Sequence, residues 1–150
     1  MITELKQVAC IKLLKDNYVG HLGYIAMGRP YVVPITYYFH EDNYIICYSG
    51  EGHKISAMRK KPEVSLEVEE IQSINKWRAV LVHGIYEELH QIDAKNLLHI
   101  FAQGVEEIIE KQKHLHLHAI SEFSSKIHQE SISVVYRIKI VDITGKERDF

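Results

Sequence analysis

Residues 31–61, YVVPITYYFHEDNYIICYSGEGHKISAMRKK, run a strand, a turn, a second strand, a glycine bend and a short helix together without a break, and few folds accept that order. Tyr31, Val33, Ile35, Tyr37 and Phe39 recur at every second residue, the period of a half-buried strand. Glu41, Asp42 and Asn43 are turn formers, and Tyr44 to Ser49 reads as a second strand, so the two are predicted to pair as a hairpin. Past Gly50 and Gly52 the spacing becomes helical, with Ile55 and Met58 on one side, Arg59, Lys60 and Lys61 at the basic end, and Pro62 as the stop. Such a junction offers free backbone N–H groups at a helix N-terminus and, in Lys54, a cation in the first turn. A phosphate is the group it suits.

At 150 residues the chain is long enough for one domain, residues 1–150, with a sizeable core. A net charge of −2 gives no reason to expect nucleic acid or an acidic membrane as a partner. Cys10 and Cys47 are too few for a disulfide framework or a four-thiolate zinc site, and both are expected in the core of a cytoplasmic protein. The opening MITELKQ lacks a basic region followed by an apolar run, and no stretch approaches the ~20 apolar residues of a membrane span.

Ahead of the central stretch, Leu5, Val8, Ile11 and Leu14 keep helical spacing up to Asp16-Asn17, and Tyr18 to Met27 is rich in strand formers before a turn at Gly28-Arg29-Pro30. Beyond it, Val64, Leu66 and Val68 alternate with polar residues, Glu70 to Lys76 reads as a polar loop, and Trp77 to Leu89 is a long strand in which Gly84 predicts a bulge or bend. Asp93 is a candidate N-cap for a helix carrying Leu97, Leu98, Phe101, Val105, Ile108 and Ile109. His114 to Gln129 is ambiguous, with a short helix conceivable over Ala119 to Ser124. Ser131 to Ile143 closes the chain as a strand, and Gly145 is expected to begin a loose polar tail. Six strands joined by short connections, with flanking helices, favour a mainly β chain folded as an antiparallel barrel.

Val19-Gly20-His21-Leu22-Gly23, Gly28 to Tyr37, Gly52-His53-Lys54, Arg59 to Val64 and Trp77 to Gly84, in this order, resemble the FMN-binding split barrels related to pyridoxamine 5′-phosphate oxidase, in particular the branch containing nitroimidazole-resistance proteins. The resemblance spans Leu5 to Leu89. It implies a six-stranded split barrel, a homodimer, and FMN in the groove between two copies. Carried over, it sets Pro34, Ile35 and Thr36 along the ring and ribityl chain, Tyr48, Ser49, His53 and Lys54 around the phosphate, and Trp77 and Ala79 near the ring. His53 and Ala79 stand where the family often has Arg and Ser or Gln. The implied activity is an FMN-dependent oxidoreductase acting on a small molecule; the alternative is a haem-binding or non-catalytic flavin-binding module on the same barrel.

Several residues also have plainer readings. Lys54 and His53 fit an exposed first turn, Thr36 an ordinary strand threonine, and Trp77 a core or interface aromatic. His21 and His83 are candidate haem ligands or structural histidines, and Arg137 a ligand group or an ion-pair partner. His114, His116 and His118 would share a face if extended, without a Cys or acid at ligand spacing. No nucleophile elbow, Walker loop or HExxH motif is present, so no catalytic residue is assigned.

Overall fold

The computed structural model describes residues 1–41, 43–113 and 134–150. Its strands are β1 (Ile2–Glu4), β2 (Val19–Ala26), β3 (Arg29–Thr36), β4 (Tyr38–His40), β5 (Tyr44–Ser49), β6 (Glu63–Ser73), β7 (Lys76–Leu89) and β8 (Val134–Asp149), with helices α1 (Gln7–Asp16), α2 (His53–Lys60) and α3 (Gln91–Lys113). All pairings are antiparallel. The strand order is β3-β2-β6-β7-β8-β5-β4, with β1 beside the second half of β8. The mainly β, split-barrel reading therefore holds, with eight strands in place of six.

The predicted hairpin is the main correction. The strand ends at Thr36, β3 pairs with β2, and only the three-residue β4 pairs with β5. Tyr37 is the cause. Its ring is fully buried, its hydroxyl donates to the Leu14 carbonyl at 2.8 Å, and its N–H donates to the Tyr18 carbonyl at 2.8 Å. The chain turns inward there, and β3 and β4 part to opposite ends of the sheet. Two-residue alternation continues through the corner, so it conceals it.

The β2–β3 turn is Met27-Gly28, both at positive φ, as a two-residue hairpin requires, and Arg29 and Pro30 already belong to β3. The supposed polar loop is mostly strand: β6 extends to Ser73 and β7 starts at Lys76. Gly84 does mark an irregularity, where the β7–β8 register shifts so that Val141 has no direct partner. A side chain at Gly84 would collide with Ile138 and the Lys139 carbonyl. Gly145 does not begin a loose tail: it pairs with Val80, and β8 continues to Asp149. In α1 the buried face is Cys10, Leu13 and Leu14, while Val8 is exposed. Asp93 is not the N-cap of α3 but lies in its first turn. His114, His116, His118 and the conceivable helix at Ala119 to Ser124 lie outside the described residues.

Two apolar clusters hold these elements. Inside the barrel, Leu22, Tyr24, Val64, Leu66, Val68, Val80, Val82 and Ile138 meet Cys10, Leu13 and Leu14 of α1 and Ile55 and Met58 of α2. Each large buried side chain contributes about 1.5–3 kcal/mol. On the other side of β5, Phe101, Ala102, Val105 and Ile109 of α3 cover Ile46. Both cysteines are free and buried, and burial pushes the Cys47 thiol up to about 12. Among the described residues, no helix is long and apolar enough to cross a membrane.

Candidate functional site

The end of β5 and the start of α2 bring three of the predicted residues together: Ser49, His53 and Lys54 flank the Gly50–Gly52 bend. Gly52 is the N-cap and no side chain caps α2, so the N–H groups of its first turn stay available. A Cβ at Gly50 or Gly52 would meet nothing within 4 Å, so protein packing does not demand glycine there and the space above the bend is open. The Ser49 hydroxyl donates to the Gly50 carbonyl at 2.8 Å. Tyr48 does not join this group. Its ring packs edge-on against Phe101 at 5.1 Å, on the α3 side of β5.

His53 is held by aromatic neighbours that the sequence did not announce. The Tyr24 hydroxyl lies 2.9 Å from Nδ1, Tyr31 stacks on Tyr24 at 5.4 Å, and the His53 ring stands edge-on to Tyr31 at 4.8 Å. With the tyrosine donating, Nε2–H is the remaining donor of the ring. Tyr24 and Tyr31 face each other across the β2–β3 ladder. Recognition of the Met27-Gly28 turn would have paired them from sequence.

Arg59 is the other missed residue. It donates to both oxygens of Glu51 at 2.8 and 2.9 Å and to both oxygens of Glu88 at 2.7 and 3.0 Å, while the Tyr86 hydroxyl donates to Glu88 at 2.7 Å. This clamp ties the bend to β7 and holds the Glu88 carboxyl below its ordinary range, chiefly through Arg59. It also pairs Glu51, the acid of the bend, with a guanidinium that Glu51 shares with Glu88. Lys54, Lys60 and Lys61 form no ion pair among the described residues, so the α2 end keeps a local positive excess.

The remaining predicted residues lie on the sheet. Ile35 faces the barrel core, whereas Pro34 and Thr36 point outward beside His21 and Val19. Ala79 and Trp77 are on the same outer face, on β7. Thr36, Val19, Glu69 and Ala79 stand at one level of the sheet, so Thr36 and Ala79 are about 14 Å apart across three strand spacings. Trp77 is seven residues from Gly84 along β7, about 23 Å from the α2 end of the barrel. It lines a polar groove with Arg78, Glu147 and Arg148.

That outer face mixes polar residues, Glu63, Ser65 and His83 among them, with exposed apolar ones. Val19, Val32, Ile71 and Val141 are 48%, 70%, 67% and 68% exposed, and a cleft of about 490 Å³ opens between Ile25, Pro30, Val32, Ile85 and Val141. Its polar island is His21, whose Nδ1 lies 3.3 Å from Glu67 and 3.8 Å from Glu69. Burial and the adjoining Glu69 push the Glu67 carboxyl up to about 7. His83 lies 2.9 Å from the Ser65 hydroxyl. Arg137 has the ion-pair role, donating to Glu87 at 2.8 Å and stacking on Tyr44 at 4.1 Å.

The chain is 45% identical over 73 residues to an uncharacterised protein of Rhizobium meliloti; the aligned part covers 47% of this chain and about half (48%) of that protein. In structure it is similar to an FAD-binding protein of Mesorhizobium loti, with 29% identity, 99% of each chain covered and a TM-score of 0.74. It is also similar in fold to a candidate 5-nitroimidazole antibiotic resistance protein of Bacteroides thetaiotaomicron, at 15% identity, 98% and 87% coverage and a TM-score of 0.71. The family model for pyridoxamine 5′-phosphate oxidase matches residues 6–147, nearly the whole chain, and the protein belongs to that family.

Proposed function

We propose that the protein is a flavin-dependent oxidoreductase acting on a small molecule, working as a homodimer with the flavin between two copies. The observation that carries the reading is the cradle at α2: uncapped N–H groups, an open glycine bend, an oriented His53, and Lys54 without an acid partner among the described residues. These groups fit the phosphate that ends the ribityl chain of FMN and of FAD alike. The Mesorhizobium loti protein, similar over its full length, is FAD-binding, which supports a flavin here.

The flavin supplies the hydride chemistry when bound. The chain's part is to hold it. Lys54 and the first-turn N–H groups meet the phosphate with charge-assisted bonds of about 1.5–3 kcal/mol each, and His53 adds a donor from Nε2. Micromolar affinity needs about 8 kcal/mol net, so the ring must lie on an apolar surface as well. Pro34 and Thr36 offer part of that surface on the outer sheet face, with Ile35 backing it from the core, while Ala79 stands three strand spacings away. Trp77 lies too far from the α2 cradle of its own chain to share a site with it, and a second copy packed on the exposed Val19, Val32, Ile71 and Val141 would supply it in trans.

The test is direct. The purified protein should be yellow or turn yellow with added flavin, run as a dimer by light scattering, and reduce a nitro or quinone acceptor with a nicotinamide donor. A protein that ignores FMN and FAD at micromolar concentration sinks the proposal.

A further inference from the structure

On the outer sheet face, β2 and β6 set one imidazole against two carboxylates. His21 and Glu67 are direct partners across the β2–β6 ladder, and the two-residue period of β6 returns Glu69 to the same face. Nδ1 of His21 lies 3.3 Å from Oε1 of Glu67 and 3.8 Å from Oε2 of Glu69, and the three ligating atoms all lie within 4.8 Å of one another. All three residues are half-buried. Beside them opens a cavity of about 310 Å³, lined by Asn17, Tyr18, Val19 and Gln112 together with His21 and Glu69. We propose that His21, Glu67 and Glu69 bind one divalent first-row metal ion, zinc foremost, with a coordination position left open to this cavity. The site lies on the face of β2 opposite to Tyr24, which holds His53, and the inference does not depend on the flavin reading.

The spacing favours a shared ion over direct pairing. A charge-assisted N–H···O bond closes to about 2.7–2.9 Å, and neither contact of His21 is that short. Atoms held about 2.0–2.1 Å from one tetrahedral ion stand roughly 3.3 Å apart, which is the separation of His21 and Glu67, and a small rotation of the Glu69 side chain brings in the third. The charge points the same way. Glu67 and Glu69 are like charges on one face of one strand; one imidazole offsets at most one of them, whereas a divalent ion offsets both. The ligand set also selects the ion: an imidazole disfavours magnesium and calcium, which take oxygen ligands, and two carboxylates disfavour the soft cuprous ion. Three protein ligands with a fourth place open is the arrangement of a zinc ion that takes water or a small oxygen ligand. The neighbouring cavity falls within the ~300–1,000 Å³ of small-ligand sites, so such a ligand has room. Because all three residues stand on paired strands, binding needs only side-chain rotations.

Chelator-treated full-length protein, titrated with zinc chloride by calorimetry and with cobalt(II) chloride by visible absorption, tests the site. The reference is the chain carrying His114→Ala, His116→Ala and His118→Ala, which removes competing imidazoles. It should bind one zinc per chain with a dissociation constant below about 100 micromolar, and cobalt should give the visible bands of a four-coordinate nitrogen and oxygen site. On that background His21→Ala and Glu67→Gln should each weaken zinc binding at least tenfold, with circular dichroism showing that both variants are folded. Zinc binding weaker than that limit in the reference, or a loss of less than tenfold in either variant, overturns the assignment, the second by placing the ion on other side chains. Both results leave the flavin reading as it stands.

Discussion

At the N-terminus of α2 the groups suited to an anion cluster around one bend of one chain, whereas the outer sheet face spreads Pro34, Thr36, Ala79 and Trp77 over β3 and β7 with two strands between them. The first region is an open bend whose acid, Glu51, is paired with Arg59 and whose His53 is oriented by Tyr24. The second is a sheet face of mixed apolar and polar residues on which Pro34, Thr36, Ala79 and Trp77 converge on nothing within their own chain. Charge can be met by one helix end and a lysine; a planar ring needs cover on both faces, and one sheet supplies only one. On the proposed reading, a single chain would supply the phosphate half of the site and a second copy the rest of the ring half.

The largest break in this contrast should come from the sheet face. Val141→Arg puts a charge on an exposed strand residue, so the fold should lose no more than about 0.5 kcal/mol. In a dimer built on this face the buried charge should cost about 2–5 kcal/mol. Light scattering should show monomers, with flavin binding lost; a dimer that keeps its flavin would place the ring elsewhere.

Next in size is Lys54→Ala, which should weaken flavin binding by about 1–3 kcal/mol while leaving dimer and melting temperature in place. Unchanged affinity in a titration would move the phosphate away from α2. Arg59→Ala should act in the same direction and more weakly, by releasing Glu51 to repel the phosphate and loosening the bend. The loss should shrink in the double variant Arg59→Ala/Glu51→Gln, and equal losses in both would assign Arg59 to the bend alone.

The smallest effect concerns the polar island. The Glu67 carboxyl is raised in the folded state, so the native protein holds a proton that the unfolded chain has released, and stability falls as pH rises from about 4.5 to about 7. Glu67→Gln should flatten that slope in thermal melts. If it does not, the crowding of His21, Glu67 and Glu69 is relieved in solution.

The segments legible in the sequence were those whose signals are local. Pro62 ends α2 one turn after Met58, the alternation of Val64, Leu66 and Val68 gives the buried face of β6, and Gly84 marks the place where β8 presses on β7. The β3–β4 corner was hidden, because Tyr37 keeps the two-residue period while its hydroxyl and N–H bind residues 14 and 18, far back in the chain. The polar end of β8 was hidden for a related reason. Between Thr144 and Asp149 a strand exposed on much of its surface carries no alternation to read.

For the candidate site the division is the same. Glycines, Lys54 and a proline-stopped helix announced the uncapped start of α2, since those signals are local. The sequence by itself determined the helix ends, the buried alternation and the basic character of α2, because propensity, period and charge act over a few residues. Only the tertiary structure decided that Tyr24 and Tyr31 hold His53, that Arg59 joins Glu51 to Glu88, and that Tyr48 faces α3, because those contacts join residues that pairing and packing alone bring together.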